Sequence, residues 1–288
     1  MELLRFSIFG RLRVVSSRMT LSSFPTRHAE ELLLFLLVHP QIPHSRERLI
    51  DLLWPDTSLK KGRARLSTTL WQLGKFFNSF AFSLDDFIQT TRTSVQFKPV
   101  VSYESDFQDF ESWLKQARSL HTESDTYQEL LKMACEQYTG ELGSGIYSEW
   151  CLNWREKYAR RFLRAQGELM AIHMQRLQWE DAIQIGRQIL EENPLREDIH
   201  RSLMVCLAET GRHSQAIAQY QTLSALLSQE LSVWPMTDTV QLYMQILNGR
   251  FQKKSSLIGN KAGLDEAYQA FHQASLHLNT LLNRNPSN

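Results

Sequence analysis

Five cations, Lys60, Lys61, Arg63, Arg65 and Lys75, fall within the stretch LKKGRARLSTTLWQLGKFF at 59–77, and no acidic residue interrupts them. Cations at this density neutralise phosphates. Ser67, Thr68 and Gln72 among them add uncharged groups that can hydrogen-bond base edges in a DNA major groove. These groups act together only if one element lays them on one side. Leu66, Leu70, Leu73 and Phe77 recur at the helical period, which predicts a helix with one face for a core and the other for an anion. The same pattern also fits a solvated basic face on an ordinary amphipathic helix.

The neighbouring stretches set this helix in context. Apolar residues alternate around Phe6 and Ile8 and again around Leu12 and Val14, with Gly10 between, predicting a short antiparallel pair continued by Met19–Phe24. Thr26 is a candidate N-cap for a first helix ending before Pro40, and Ser45 for a second ending at Pro55. The basic helix is then the third, as in a helix-turn-helix whose last helix faces outward. Strand-like runs at Phe87–Thr90 and Ser94–Lys98 flank Arg92, which gives a wing whose tip cation suits a minor groove. On this reading Arg65, Thr68 and Gln72 address base edges, while Lys60, Lys61, Trp71, Lys75 and Arg92 address phosphate or groove. Arg63 lies nearer the apolar edge, where an ion pair inside the fold suits it as well as DNA.

Charge divides along the chain. Residues 1–98 hold 14 Lys and Arg against 8 Asp and Glu, leaving 18 against 23 in the remainder, so a basic first third precedes an acidic rest. From Asp106 onward helical periodicity replaces strand patterning. WEDAIQIGRQIL from Trp179 aligns with HSQAIAQYQTLS from His213 at an offset of 34 residues, the tetratricopeptide period, with Ala182 over Ala216 where paired helices cross closely. The expected fold is mostly α: a winged helix-turn-helix (α+β) followed by an all-α tetratricopeptide-like repeat. The expected domains are 1–98 for DNA binding, 99–250 for the helical repeat, and 251–288 for a linker and a helix from Leu264.

Several function classes are disfavoured. Cys135, Cys151 and Cys206 stand apart, without the spacing of a disulfide framework or a zinc site, so neither metal nor cofactor is expected. GELGSG at 140–145 follows a helix and lacks a phosphate-loop pattern. No nucleophile, base and orienting group emerge together, so an enzyme is not expected. The longest apolar run, Leu32–Val38, is far short of the roughly 20 residues that span a bilayer. With no leader-like N-terminal segment, the expectation is a cytoplasmic chain without a membrane partner. A protein-interaction scaffold whose winged helix does not bind DNA alone is the competing class.

From Leu4 to Leu247 the chain resembles bacterial transcriptional activators of the Streptomyces antibiotic regulatory protein (SARP) type. The similar stretches are LRFSIFGRLRV, SRERLIDLLWPD, the GEL and EW near 140 and 150, and NPLREDIHRSLM at 193–204. Two more are TGRHSQAIAQY at 210–220, for the family's AGRxxEALxxY, and ELSVWP at 230–235, for its ELGVEP. The resemblance implies a response-regulator-like winged helix fused to tetratricopeptide-like helices. It also implies binding to double-stranded promoter DNA, commonly at direct repeats where a homodimer would fit, and recruitment of RNA polymerase. Arg63 and Leu66 match the family's Arg and Leu in the third helix, and Leu70 and Leu73 its core positions. Gly74 stands where the family usually has arginine, Ser67 often replaces another, and Trp71 is unusual.

Overall fold

The computed structural model describes residues 3–122 and 124–253; the helix expected from Leu264 lies outside them. Contacts divide the chain into two compact units, with the division between Ala165 and Gln166.

The first unit opens with a four-stranded sheet of order β3-β2-β1-β7. Strands β1 (Leu4–Ser7), β2 (Arg13–Val15) and β3 (Thr20–Leu21) form the expected antiparallel meander, with Phe6 opposite Val14. The fourth strand, β7 (Tyr103–Ser105), pairs parallel to β1 and is absent from the sequence expectation. Helix α1 (Arg27–Val38) is buried on every side from Leu32 to Val38, as its unbroken apolar run requires. Thr26 Oγ1 caps it by accepting the Ala29 N–H at 3.2 Å. Helix α2 (Arg46–Leu53) follows the two-residue strand β4 (His44–Ser45), and α3 (Leu59–Asn78) follows α2. The hairpin of β5 (Ile88–Thr90) and β6 (Ser94–Phe97) is antiparallel, and β4 joins it in the order β4-β6-β5.

The two sheets and α3 share one aromatic core. Phe6 meets Phe87, Phe97 and Phe77 edge-on at centroid distances of 5.5, 5.9 and 6.4 Å, and Phe77 stacks on Phe87 at 5.0 Å. Helices α4 (Asp106–Ala117), α5 (Asp125–Gln137) and the first part of α6 (Glu149–Gln175) belong to the same compact unit, so it extends well past residue 98. Asp106 accounts for this at the start of α4: its buried carboxylate accepts the N–H groups of Ile8 and Phe9.

The second unit comprises the rest of α6, α7 (Trp179–Glu192), α8 (Glu197–Glu209), α9 (His213–Leu231) and α10 (Thr237–Leu247). Ala182 and Ala216 are both fully buried. The repeat extends to the backbone: Leu177 and Gly211, 34 residues apart, both take positive φ, 59° and 79°, in the turns that precede α7 and α9. His200 is buried between units of the repeat, its Nε2 3.0 Å from the Pro194 carbonyl and its Nδ1 2.7 Å from Gln219 Nε2. That bridge explains why Pro194 and His200 sit together in NPLREDIHRSLM.

His44 presents the opposite case in the first unit. It is 2% exposed, its ring lies 4.8 Å from Phe35 and 5.2 Å from His39, and neither ring nitrogen has a hydrogen-bond partner. Burial, followed by the nearby His39 and Arg48 charges, pushes its pKa down from 6.5 to about 4. Because the folded state holds the lower pKa, the unfolded chain takes up the proton first. The stability contribution is therefore whole above pH 6.5 and is lost as pH falls toward 4. Urea unfolding of wild type and His44→Phe at pH 7.5 and 5 should show the wild type losing about 2 kcal/mol more than the variant. Asp106 titrates in both proteins and cancels in that difference.

Candidate nucleic-acid interface

Helix α2 is capped by Ser45 Oγ, which accepts the Arg48 N–H at 3.2 Å. A turn through Thr57, whose N–H reaches the Trp54 carbonyl at 3.0 Å, leads into α3. The two helices touch at Gly62, where a Cβ would lie 2.2 Å from Ile50 Cγ2. Only glycine permits that approach, and it fixes the angle at which α3 is presented. Leu66, Leu70, Leu73 and Phe77 are buried as expected, together with Thr69 and Phe76.

The opposite face divides into a centre and two rims. At about 100° per residue, Lys60, Lys61, Ala64, Thr68, Trp71 and Lys75 share the centre, and all are exposed. Arg63 and Ser67 form one rim. Arg63 Nη2 pairs with Glu47 Oε1 at 3.1 Å, an exposed bridge from α3 to α2. Arg65 and Gln72 form the other rim. Arg65 Nη1 donates to Thr57 Oγ1 at 2.8 Å, and Gln72 Oε1 accepts from Thr26 Oγ1 at 3.0 Å. Gln72 is thus half-buried against the cap of α1.

The hydroxyls also turn inward: Ser67 donates to the Arg63 carbonyl at 3.0 Å and Thr68 to the Ala64 carbonyl at 3.1 Å. Trp71 is 60% exposed, with Lys75 Nζ 4.5 Å from its ring centroid. At Gly74 an added Cβ would meet only Leu84 Cβ, at an ordinary 3.7 Å, so nothing steric demands glycine there.

Arg92 stands apart on a different element, exposed at the tip of the β5–β6 hairpin. Its turn is well fixed. Thr91 Oγ1 accepts the N–H groups of Thr93 and Ser94 at 3.2 and 2.9 Å, and Arg46 Nε donates to the Thr91 carbonyl at 3.0 Å. Arg46, which follows the Ser45 cap and holds the wing to α2, is the residue sequence reasoning missed; Thr26, expected only as the cap of α1, also holds Gln72. Among the described residues no cluster of His, Cys, Asp or Glu could hold a metal, and no helix is long and apolar enough to cross a membrane.

A winged helix-turn-helix followed by helix pairs of tetratricopeptide period is an architecture that makes the chain similar to SARP-type regulators. Residues 105–247 match, and belong to, the family described as the bacterial transcriptional activator domain. Among similar proteins, Regulatory protein AfsR of Streptomyces griseus is 23% identical over 250 residues, covering 85% of this chain and 25% of the relative. Regulatory protein AfsR of Streptomyces coelicolor is 24% identical over 245 residues, covering 85% of this chain and 24% of the relative. The chain therefore spans about a quarter of the length of these relatives. The solved structure of Mycobacterium tuberculosis EmbR in complex with a low-affinity phosphopeptide matches with a TM-score of 0.70 at 15% identity, covering 95% of this chain and 72% of that one. At that identity the likeness is one of fold.

The two glycines of α3 should respond oppositely to alanine. Gly62→Ala forces Ile50 aside and should lower unfolding stability by about 1–3 kcal/mol. Gly74→Ala should raise it by up to about 1 kcal/mol, since a helix-interior glycine is relieved without a clash. Urea midpoints of the two variants check both.

Proposed function

We propose that this protein is a transcriptional activator of SARP-type architecture that binds double-stranded promoter DNA through α3 and the wing and recruits RNA polymerase. The observation that carries the reading is the acid-free outward face of α3, at the end of a helix-turn-helix and followed by a fixed hairpin with a cation at its tip. Lys60, Lys61 and Lys75 serve phosphates from the helix, and Arg92 serves the groove or backbone from the wing. Thr68 and Trp71 face the bases from the centre. Arg65 and Gln72, held by Thr57 and Thr26, approach the bases from one rim, and Arg63 and Ser67 approach from the other. On this reading residues 1–98 form the DNA-binding part, 99–250 the activator domain and 251–288 a linker and terminal helix. The protein acts in the cytoplasm as a homodimer on direct repeats.

A second reading, a protein-interaction scaffold, is favoured by one observation. Leu231, Val233, Trp234 and Met236 expose a run of large apolar side chains after α9, with Trp234 87% exposed. The readings separate in a titration of the 288-residue chain against labelled promoter fragments of its own genome at several salt concentrations. Saturable, salt-dependent binding is expected. Lys61→Ala and Lys75→Ala should each weaken binding to all fragments and reduce the slope of log affinity against log salt by about one unit. Affinity and slope unchanged in both variants would remove α3 from the interface, and no binding to any fragment would leave the scaffold.

A further inference from the structure

Apart from its lysine ammonium groups, the centre of the outward face of α3 presents apolar atoms. The Ser67 and Thr68 hydroxyl protons are directed to helix carbonyls, while on the rim Arg65 gives one N–H to Thr57 and the Gln72 side-chain oxygen accepts from Thr26. What remains between the lysines is apolar: the Ala64 and Thr68 methyl groups and the indole of Trp71. Helical side chains lean toward the N-terminus, so the Trp71 ring lies over the turn of Ser67 and Thr68, and Gly74 on its other side offers no side chain to cover it. Lys75, leaning the same way, places its ammonium 4.5 Å from the ring centroid, a cation–π contact that orients the indole and sets a positive charge beside it. Framed by small residues and lysines, the tryptophan is 60% exposed.

Resting on the DNA-binding reading above, we propose that Trp71 is a specificity-determining residue that reads thymine by apolar contact with its 5-methyl group in the major groove, while Lys75 takes the adjoining phosphate. The thymine methyl is the apolar feature of the major-groove edge, and an indole with two methyl groups set between lysines is complementary to it. The acid-free cationic surround supplies the matching charge for the flanking backbone.

The test is selection from a pool of random-sequence duplexes by wild type and by Trp71→Ala, followed by replacement of single thymines with deoxyuridine, which removes only the methyl group. Wild type should enrich a site with a fixed thymine that Trp71→Ala leaves unspecified. Deoxyuridine there should weaken wild-type binding about fourfold, the equivalent of one buried methyl-sized group, and leave Trp71→Ala unmoved. The deoxyuridine effect on wild type is read without any variant, so it stands if Trp71→Ala fails to fold. Binding that tolerates deoxyuridine at every selected thymine overturns the thymine contact and leaves DNA binding intact. A pool from which wild type retains no duplex overturns both.

Discussion

One carboxylate holds the first unit together. Asp106, the first residue of α4 and 4% exposed, accepts the Ile8 N–H with both oxygens, at 3.0 and 2.9 Å, the Phe9 N–H at 3.2 Å, and its neighbour Phe107's N–H at 2.7 Å. These groups lie where β1 has ended and its parallel partner β7 has turned into α4, so no strand remains to pair them. Each buried donor left without an acceptor would be destabilising by about 1–3 kcal/mol. Burial raises the Asp106 pKa to about 6, outweighing the amide donors and the more distant Arg5. Strand and helix are thereby committed to each other, and α3 inherits a sheet that is anchored from behind.

The glycine-rich stretch after α5 extends the same anchorage. Gly143 N–H donates to the Ile8 carbonyl, Ser144 N–H to the Gly10 carbonyl, and Gly10 N–H to the Glu141 carbonyl, all at 2.9 Å. Gly143 takes a φ of 62°, and a Cβ there would lie 2.5 Å from Leu34 Cδ2, so both its backbone and its lack of a side chain are used. Arg155 then binds the carbonyls of Leu142, Gly143 and Ile146 at 3.1, 2.9 and 2.9 Å. A stretch that composition alone would suggest for phosphate binding is instead fastened along the end of β1. Glu111, held by Tyr158 and Arg161, joins α4 to α6 and carries the same unit to Ala165.

What the sequence made legible was local. The caps at Thr26 and Ser45, the apolar stripe of α3 and the wing hairpin each depend on residues close in sequence, and the 34-residue period shows as one segment repeating another. What it concealed was either too short or too distant to leave a period. Strand β4 has two residues and β7 has three, too few for alternation, and Asp106 bonds backbone 97 and 98 residues away. The same distance hid the engagement of Gln72 with Thr26, 46 residues apart, so residue type made Gln72 a base reader while tertiary structure gave it a partner.

That distinction changes how the basic helix is to be understood. Counting cations treats Arg63 and Arg65 as equal to Lys60, Lys61 and Lys75, yet the arginines are tied to Glu47 and Thr57 while the lysines stand in the exposed centre. Each rim arginine already has one partner within the fold, whereas the lysines, as mobile point charges, can each meet a phosphate. The rims therefore hold α3 in place and the centre is left to meet DNA on the proposed reading. Gly74, where the family usually has arginine, removes one more fork from the face and leaves Trp71 uncovered beside it. On the proposed reading, charge and sequence discrimination fall to different residues, with lysines setting affinity and the Trp71 indole setting preference.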